Sequence, residues 1–173
     1  MSTYAPARPT GRPVRDGLER LLGVLPAVPC PWRARRTEAP GVDLRLPVPH
    51  DPRQLGPLRR EVRRALDRSA VPEHAADEAV LVVSELVTNA VTHGTSPAEL
   101  RLVLGRESHG LRVEVTDSRG ESVPALADPS RDLDGRRGLL LVAALTDRWG
   151  WYPSIDGPGK TVWAVLDPDL GLS

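Results

Sequence analysis

The sequence predicts an α+β fold, a two-layer sandwich with helices on one face of a mixed, mostly antiparallel sheet. Three features predict it. Residues 98–105 (AELRLVLG) and 110–117 (GLRVEVTD) alternate apolar and polar positions across a short turn, the mark of an antiparallel strand pair. Residues 55–66 and 73–93 carry apolar residues at steps of three and four, the spacing of helices with one buried side. The order of segments is strand, two helices, two strands, loop, helix, two strands, which leaves the helices one sheet face to cover.

Each element has its own signal. Residues 1–40 hold seven of the 18 prolines and seven Arg against three acids, a net of +4, and no sustained period. They predict a disordered, solvated Pro/Arg-rich tail in which 15–25 can form a short helix. The domain then runs over 41–168, with 169–173 as a short C-terminal tail. Residues 42–48 alternate and predict a strand. Asp51-Pro52 is a helix start, with Asp51 as N-cap and proline at the first helical position. Leu55, Leu58, Val62, Ala65 and Leu66 continue that helix until Val71-Pro72 breaks it. The second helix spans 73–93, and Gly94 is expected to close it in a left-handed conformation. After the strand pair, residues 118–136 are rich in Pro, Gly, Asp and Arg, with no period; a loop of that length inside a compact domain suggests a lid. A third helix over about 137–147 leads into the strand WGWY, 149–152. A Pro/Gly turn over 153–159 precedes the last strand, 161–166.

Bulk composition excludes several classes. The 23 basic and 23 acidic residues balance, which gives no support for direct nucleic-acid binding. Residues 41–173 carry a net of −4, opposite in sign to the tail. Cys30 is the single cysteine, so no internal disulfide forms and a cytoplasmic setting is expected. No apolar run approaches the roughly 20 residues a membrane helix needs. The stretch LLGVLPAV, 21–28, is too short and too broken by Pro26 for a signal core.

The chemistry concentrates in a few stretches. SELVTNAVTHG, 84–94, sets Glu85, Asn89 and His93 at steps of four on a helix whose other positions are apolar. Residues four apart stack on one face. If that face met solvent, Asn would be an odd choice, since its helix propensity is modest. If it met a ligand, the carboxamide oxygen could serve a hard cation such as Mg²⁺ and the carboxylate one turn earlier could accept a proton. VTDSRG, 115–120, leaves Asp117 where a strand meets a loop, and GRRGLLLV, 135–142, sets two glycines before a helix whose N-terminus can hold phosphate. GPGKT, 157–161, looks like the end of a phosphate-binding P-loop. It lacks the glycine that motif needs, because Ser154 stands there, and a strand follows instead of a helix.

Taken in order, ELVTNAVTHG, VEVTDSRGESVP, GRRGLLLVAALTDRWGW and GKTVWAVL resemble the ATP-binding domain shared by gyrase B, histidine kinases and MutL, with its Bergerat-type fold. Within that GHKL superfamily the chain is most similar to the anti-sigma factor serine/threonine kinases in their short, single-domain bacterial form. The resemblance covers about 42–167. It implies ATP and Mg²⁺ as cofactors, Glu85 as general base and Asn89 as the Mg²⁺ ligand. Asp117 would accept from the adenine amino group and Gly120 would line the adenine pocket. Gly135, Arg137, Gly138 and Leu139 would lie at the phosphates. Thr161 would anchor the adenine end through Asp117 or a water, and His93 has no firm role. The chain departs from the wider pattern at Arg119, where many relatives have glycine, and in having fewer glycines in the lid. The implied activity is transfer of the ATP γ-phosphate to a Ser or Thr of an anti-sigma-factor antagonist, with a sigma factor as a second partner and a homodimer left open. A non-catalytic ATP-dependent binding module and a detached histidine-kinase catalytic domain are the alternatives.

Overall fold

The computed structural model describes residues 40–94, 97–105, 110–118, 137–154 and 158–167. The first strand, β1 (Pro40–Val48), leads to a 3-10 turn (Pro52–Gln54) and then to α1 (Leu55–Arg68) and α2 (Glu73–His93). The strand pair β2 (Ala98–Gly105) and β3 (Leu111–Asp117) follows, then α3 (Arg137–Leu145), β4 (Arg148–Pro153) and β5 (Lys160–Leu166). Five strands form one sheet in the order β1-β2-β3-β5-β4. The two-layer α+β sandwich is as expected; the sheet is wholly antiparallel rather than mixed. The reason is the hairpin of β4 and β5. β3 and β4 run in the same direction across the α3 crossover, but β5 turns back and inserts between them, so no parallel pair forms.

Local chemistry sets the helix boundaries. The Asp51 carboxylate accepts from the Arg53 amide at 2.9 Å, with Pro52 at the first position, so the cap read from the sequence opens the 3-10 turn that feeds α1. α1 ends in a Schellman arrangement: Val71 N–H donates to Leu66 O and Ala70 N–H to Asp67 O, both at 3.2 Å. Ala70 takes the left-handed conformation there, φ 54°, without being glycine. At the end of α2 the expectation fails. Gly94 has φ −88° and ψ −172°, an extended conformation open to any residue. What excludes a side chain at Gly94 is space, since a Cβ would run into the Ala90 carbonyl.

The core lies between the helices and one sheet face. Leu55, Leu58, Val62 and Leu66 of α1 and Ala79, Val82, Val83, Leu86 and Val87 of α2 meet Leu100, Leu102, Leu111, Val113 and Val115 of the sheet. Leu139 and Val142 bring α3 into the same cluster, and Trp149 packs against it. Truncating a fully buried member such as Leu86 to alanine costs about 2–5 kcal/mol through lost burial and the cavity left behind. This packing fixes the rotation of α2 and so decides where its polar residues point.

Candidate functional site

α2 is apolar around most of its circumference, and Ala75, Ala76, Ala79, Val82, Val83, Leu86, Val87 and Ala90 are buried. Glu85 and Asn89 fall between that buried stripe and the solvent side, both partly buried. Their surroundings answer the question posed by the four-residue spacing. α2 packs along α3, and Gly138 in the first turn of α3 lies directly against the Glu85 carboxylate. A methyl group built on Gly138 would collide with Glu85 Oε2. The carboxylate therefore sits at the partly positive end of α3, an arrangement worth about 0.3–1 kcal/mol. One turn further along α2, the Asn89 side-chain nitrogen is buried with no hydrogen-bond partner among the described residues. Buried amides are nearly always paired, and leaving one unpaired costs about 1–3 kcal/mol. Turning the amide over exchanges its nitrogen and oxygen, so the same position can present an acceptor to a cation.

Asp117 ends β3 on the helix side of the sheet. It is 3 % exposed and bonds Lys160, which faces it from the start of β5, with Nζ at 2.9 Å from Oδ2 and 3.1 Å from Oδ1. The Asp117 Cβ also lies 3.1 Å from where a side chain on Gly94 would begin, so the end of α2 and the end of β3 abut. Gly159 closes the pair from behind: it has φ +148°, and a Cβ there would collide with the Asp117 carbonyl oxygen. Backbone of that kind strongly favours glycine.

The other residues singled out from the sequence are placed as follows. Thr161 is buried but points to the opposite sheet face, where its hydroxyl bonds Thr116 at 2.8 Å. The expected link from Thr161 to Asp117 is replaced by Lys160, because neighbours along a strand point to opposite faces. Leu139 sends its side chain into the core, which leaves its backbone in the first turn of α3 as its contribution to a site. Arg137 begins α3, and its side chain is outside what the structure describes. Gly120 and Gly135, with the whole expected lid over 119–136, lie outside the described residues, as do residues 1–39. His93 is exposed at the end of α2. A small hollow lined by Val48, His50, Ala90, Gly94 and Ala98 borders the same end of α2, and neither Glu85, Asn89 nor Asp117 lines it.

Lys160 is the residue that the sequence reading passed over. It is the only lysine of the chain and stood in plain view inside GPGKT, but only the β3–β5 register sets it opposite Asp117.

The arrangement fits a magnesium nucleotide. It offers a buried amide nitrogen with unused capacity and, one turn earlier on α2, a carboxylate set against the glycine in the first turn of α3. Among the described residues no group of three His, Cys, Asp or Glu could hold a metal alone. A Mg²⁺ ion here would take one oxygen from Asn89 and the rest from phosphate and water, the habit of that ion.

The family model of the histidine kinase-like ATPase domain matches residues 48–166. Among solved structures, the RsbU and RsbW domains of Rv1364c from Mycobacterium tuberculosis superpose with a TM-score of 0.54 at 18 % identity, over 72 % of this chain and 32 % of that one. The chain thus spans about a third of the length of that structure, and the likeness is one of fold. No curated protein matches the chain.

Proposed function

The chain belongs to the histidine kinase-like ATPase domain family, and from that premise we propose that it binds ATP with Mg²⁺ and phosphorylates a Ser or Thr of a partner protein. The observation that carries this reading is the juxtaposition of three groups: the Glu85 carboxylate against the first turn of α3, and the unpaired Asn89 amide one turn away. Asp117, held by Lys160 at the end of β3, is the carboxylate that would accept from the adenine amino group.

Phosphoryl transfer asks a protein mainly for positioning and charge stabilisation. The amides at the start of α3 receive phosphate oxygens, beside the Glu85 carboxylate that occupies the space left by Gly138. Asn89 holds the cation, whose contribution is to neutralise charge on the phosphates. Glu85 takes the proton of the attacking hydroxyl as the new O–P bond forms; the bond from the γ-phosphorus to the bridging oxygen breaks, and ADP departs. In this reading the acceptor is an anti-sigma-factor antagonist, and a sigma factor is a second partner. The fold likeness to a structure containing an RsbW domain supports that choice. A homodimer and a cytoplasmic site of action belong to the same proposal; no described helix is long and apolar enough to cross a membrane.

Glu85→Gln tests the catalytic part. Transfer of label from ATP to the acceptor is expected to fall about 10²- to 10⁴-fold, the usual worth of a general base. ATP affinity by calorimetry should stay within a few fold. Undiminished transfer removes Glu85 from the base role, and absence of ATP binding in the wild type removes the whole reading.

A further inference from the structure

The base end of the proposed site holds a cation as well as a carboxylate. Asp117 closes β3 and Lys160 opens β5. Their antiparallel register sets the two directly opposite each other, so both side chains leave the sheet on the same face. Lys160 Nζ lies 2.9 Å from Asp117 Oδ2 and 3.1 Å from Oδ1. The hydroxyl expected in this place is engaged elsewhere, because Thr161 and Thr116 bond each other at 2.8 Å on the other face. Backbone holds the pair in place. A Cβ on Gly159 would run into the Asp117 carbonyl oxygen, so the start of β5 is pressed onto the end of β3. The Asp117 Cβ in turn lies 3.1 Å from where a side chain on Gly94 would begin, at the end of α2. From Glu85 to Gly94, α2 advances about 14 Å at roughly 1.5 Å per residue, the scale of a nucleotide from terminal phosphate to base.

We propose that Lys160 is a second reader of the base: its ammonium donates to ring N1 of adenine while Asp117 accepts from the neighbouring 6-amino group. The inference rests on the nucleotide reading and adds to it a residue that sets base identity. A carboxylate alone accepts from any amino group, and cytosine and guanine carry one too. An acceptor and a donor fixed side by side read two adjacent atoms. Adenine presents a donor at C6 and an acceptor at N1; hypoxanthine and guanine present the reverse, a carbonyl oxygen at C6 and an N1–H. A hydrogen-bonding site rejects a ligand that lacks or reverses its partners, since its own groups are then left unpaired. The residue type suits the task. Arginine is the basic residue everywhere else in the chain, and the single lysine stands here. A guanidinium has its donors fixed in one plane and meets a carboxylate as a fork. An ammonium is a compact charge with three donors that rotate, so it can bond a carboxylate and a ring nitrogen together. Because both groups sit on paired strands rather than on a loop, their spacing exists before nucleotide arrives.

Calorimetry of the wild-type chain with ATP and with 1-deaza-ATP, in which C–H replaces N1, tests it. The analogue keeps the 6-amino group for Asp117 and is expected to bind roughly 10- to 100-fold more weakly, the usual worth of a hydrogen bond to a charged group. Protein carrying lysine labelled at Nζ with nitrogen-15 gives a second readout, because Lys160 is the only lysine and its ammonium the only labelled one. At saturation its NMR signal is expected to move further with ATP than with 1-deaza-ATP. Equal affinities overturn the proposal. Weaker binding of the analogue with equal movement of the signal assigns N1 to another group, and overturns it too. Absence of ATP binding removes the nucleotide reading, and this inference with it.

Discussion

At the scale of single residues, the molecule is governed by close approaches. Gly138 lacks a Cβ because Glu85 occupies that space, so Gly138→Ala must push α3 away from α2 or turn the carboxylate aside. A loss of about 1–3 kcal/mol in urea unfolding is expected, the ordinary cost of overpacking, together with weaker ATP binding by calorimetry. An unchanged urea midpoint would mean that Glu85 simply moves. The Asp117–Lys160 pair makes a second prediction. Both side chains are nearly inaccessible, at 3 % and 6 %. Lys160→Met leaves a buried carboxylate without its counter-charge and is expected to cost about 3–5 kcal/mol, whereas Lys160→Met/Asp117→Leu recovers most of that loss. Equal destabilisation of the single and double variants would show that packing, not charge, is at stake.

At the scale of elements, the turns and the sheet edge are informative. Ala70 holds the left-handed position of the Schellman turn between α1 and α2. Glycine relieves the Cβ penalty there, so Ala70→Gly is expected to raise stability by up to about 1 kcal/mol, read as a higher melting temperature. Arg63 ties the same two helices together, bonding Asp67 within α1 at 2.9 Å and Asp77 of α2. On the second sheet face, the hydrogen bonds from Arg101 hold the Asp43 carboxyl below its ordinary value, and they prevail over the opposing effect of burial. A carboxyl with a lowered folded-state pKa stabilises fully above its unfolded pKa and loses that contribution as pH falls through the folded value. Asp43→Asn is therefore expected to cost up to about 1 kcal/mol at pH 7, with the gap to wild type closing below about pH 4. Urea unfolding at both pH values measures it. Asp147, just before β4, behaves oppositely: partial desolvation, then the charge of Asp167, raises its pKa, so its charged form opposes folding at neutral pH and that opposition eases as pH falls.

At the scale of the whole molecule, β3, α3, β4 and the inserted β5 form a split β-α-β unit. Together with α2 it brings Glu85, Gly138 and Asp117, far apart in sequence, to one side of the sheet. Because such a site exists only in the folded chain, nucleotide must stabilise it. At 100 times its dissociation constant, ATP with Mg²⁺ should add about 2.7 kcal/mol and raise the melting temperature accordingly. In Asn89→Ala the Mg²⁺-dependent part of that shift should vanish while the magnesium-free part remains. An equal shift with and without Mg²⁺ in the wild type would take the cation role from Asn89.

The sequence by itself determined the elements, because periods of 2 and 3.6 and the capping residues are local chemistry. The bounds of α2 and β2 match the pattern to the residue, and the spacing of Glu85 and Asn89 already placed them on one face of α2. Only the tertiary structure decided what that face meets, which neighbour Asp117 has, and which way Thr161 points. Those facts depend on the inserted β5 and on its register with β3, and register is a long-range property that no single segment encodes. The same holds for Gly94 and Ala70. The residue type suggested a left-handed turn at the first and not at the second, and contacts with neighbouring backbone reversed both.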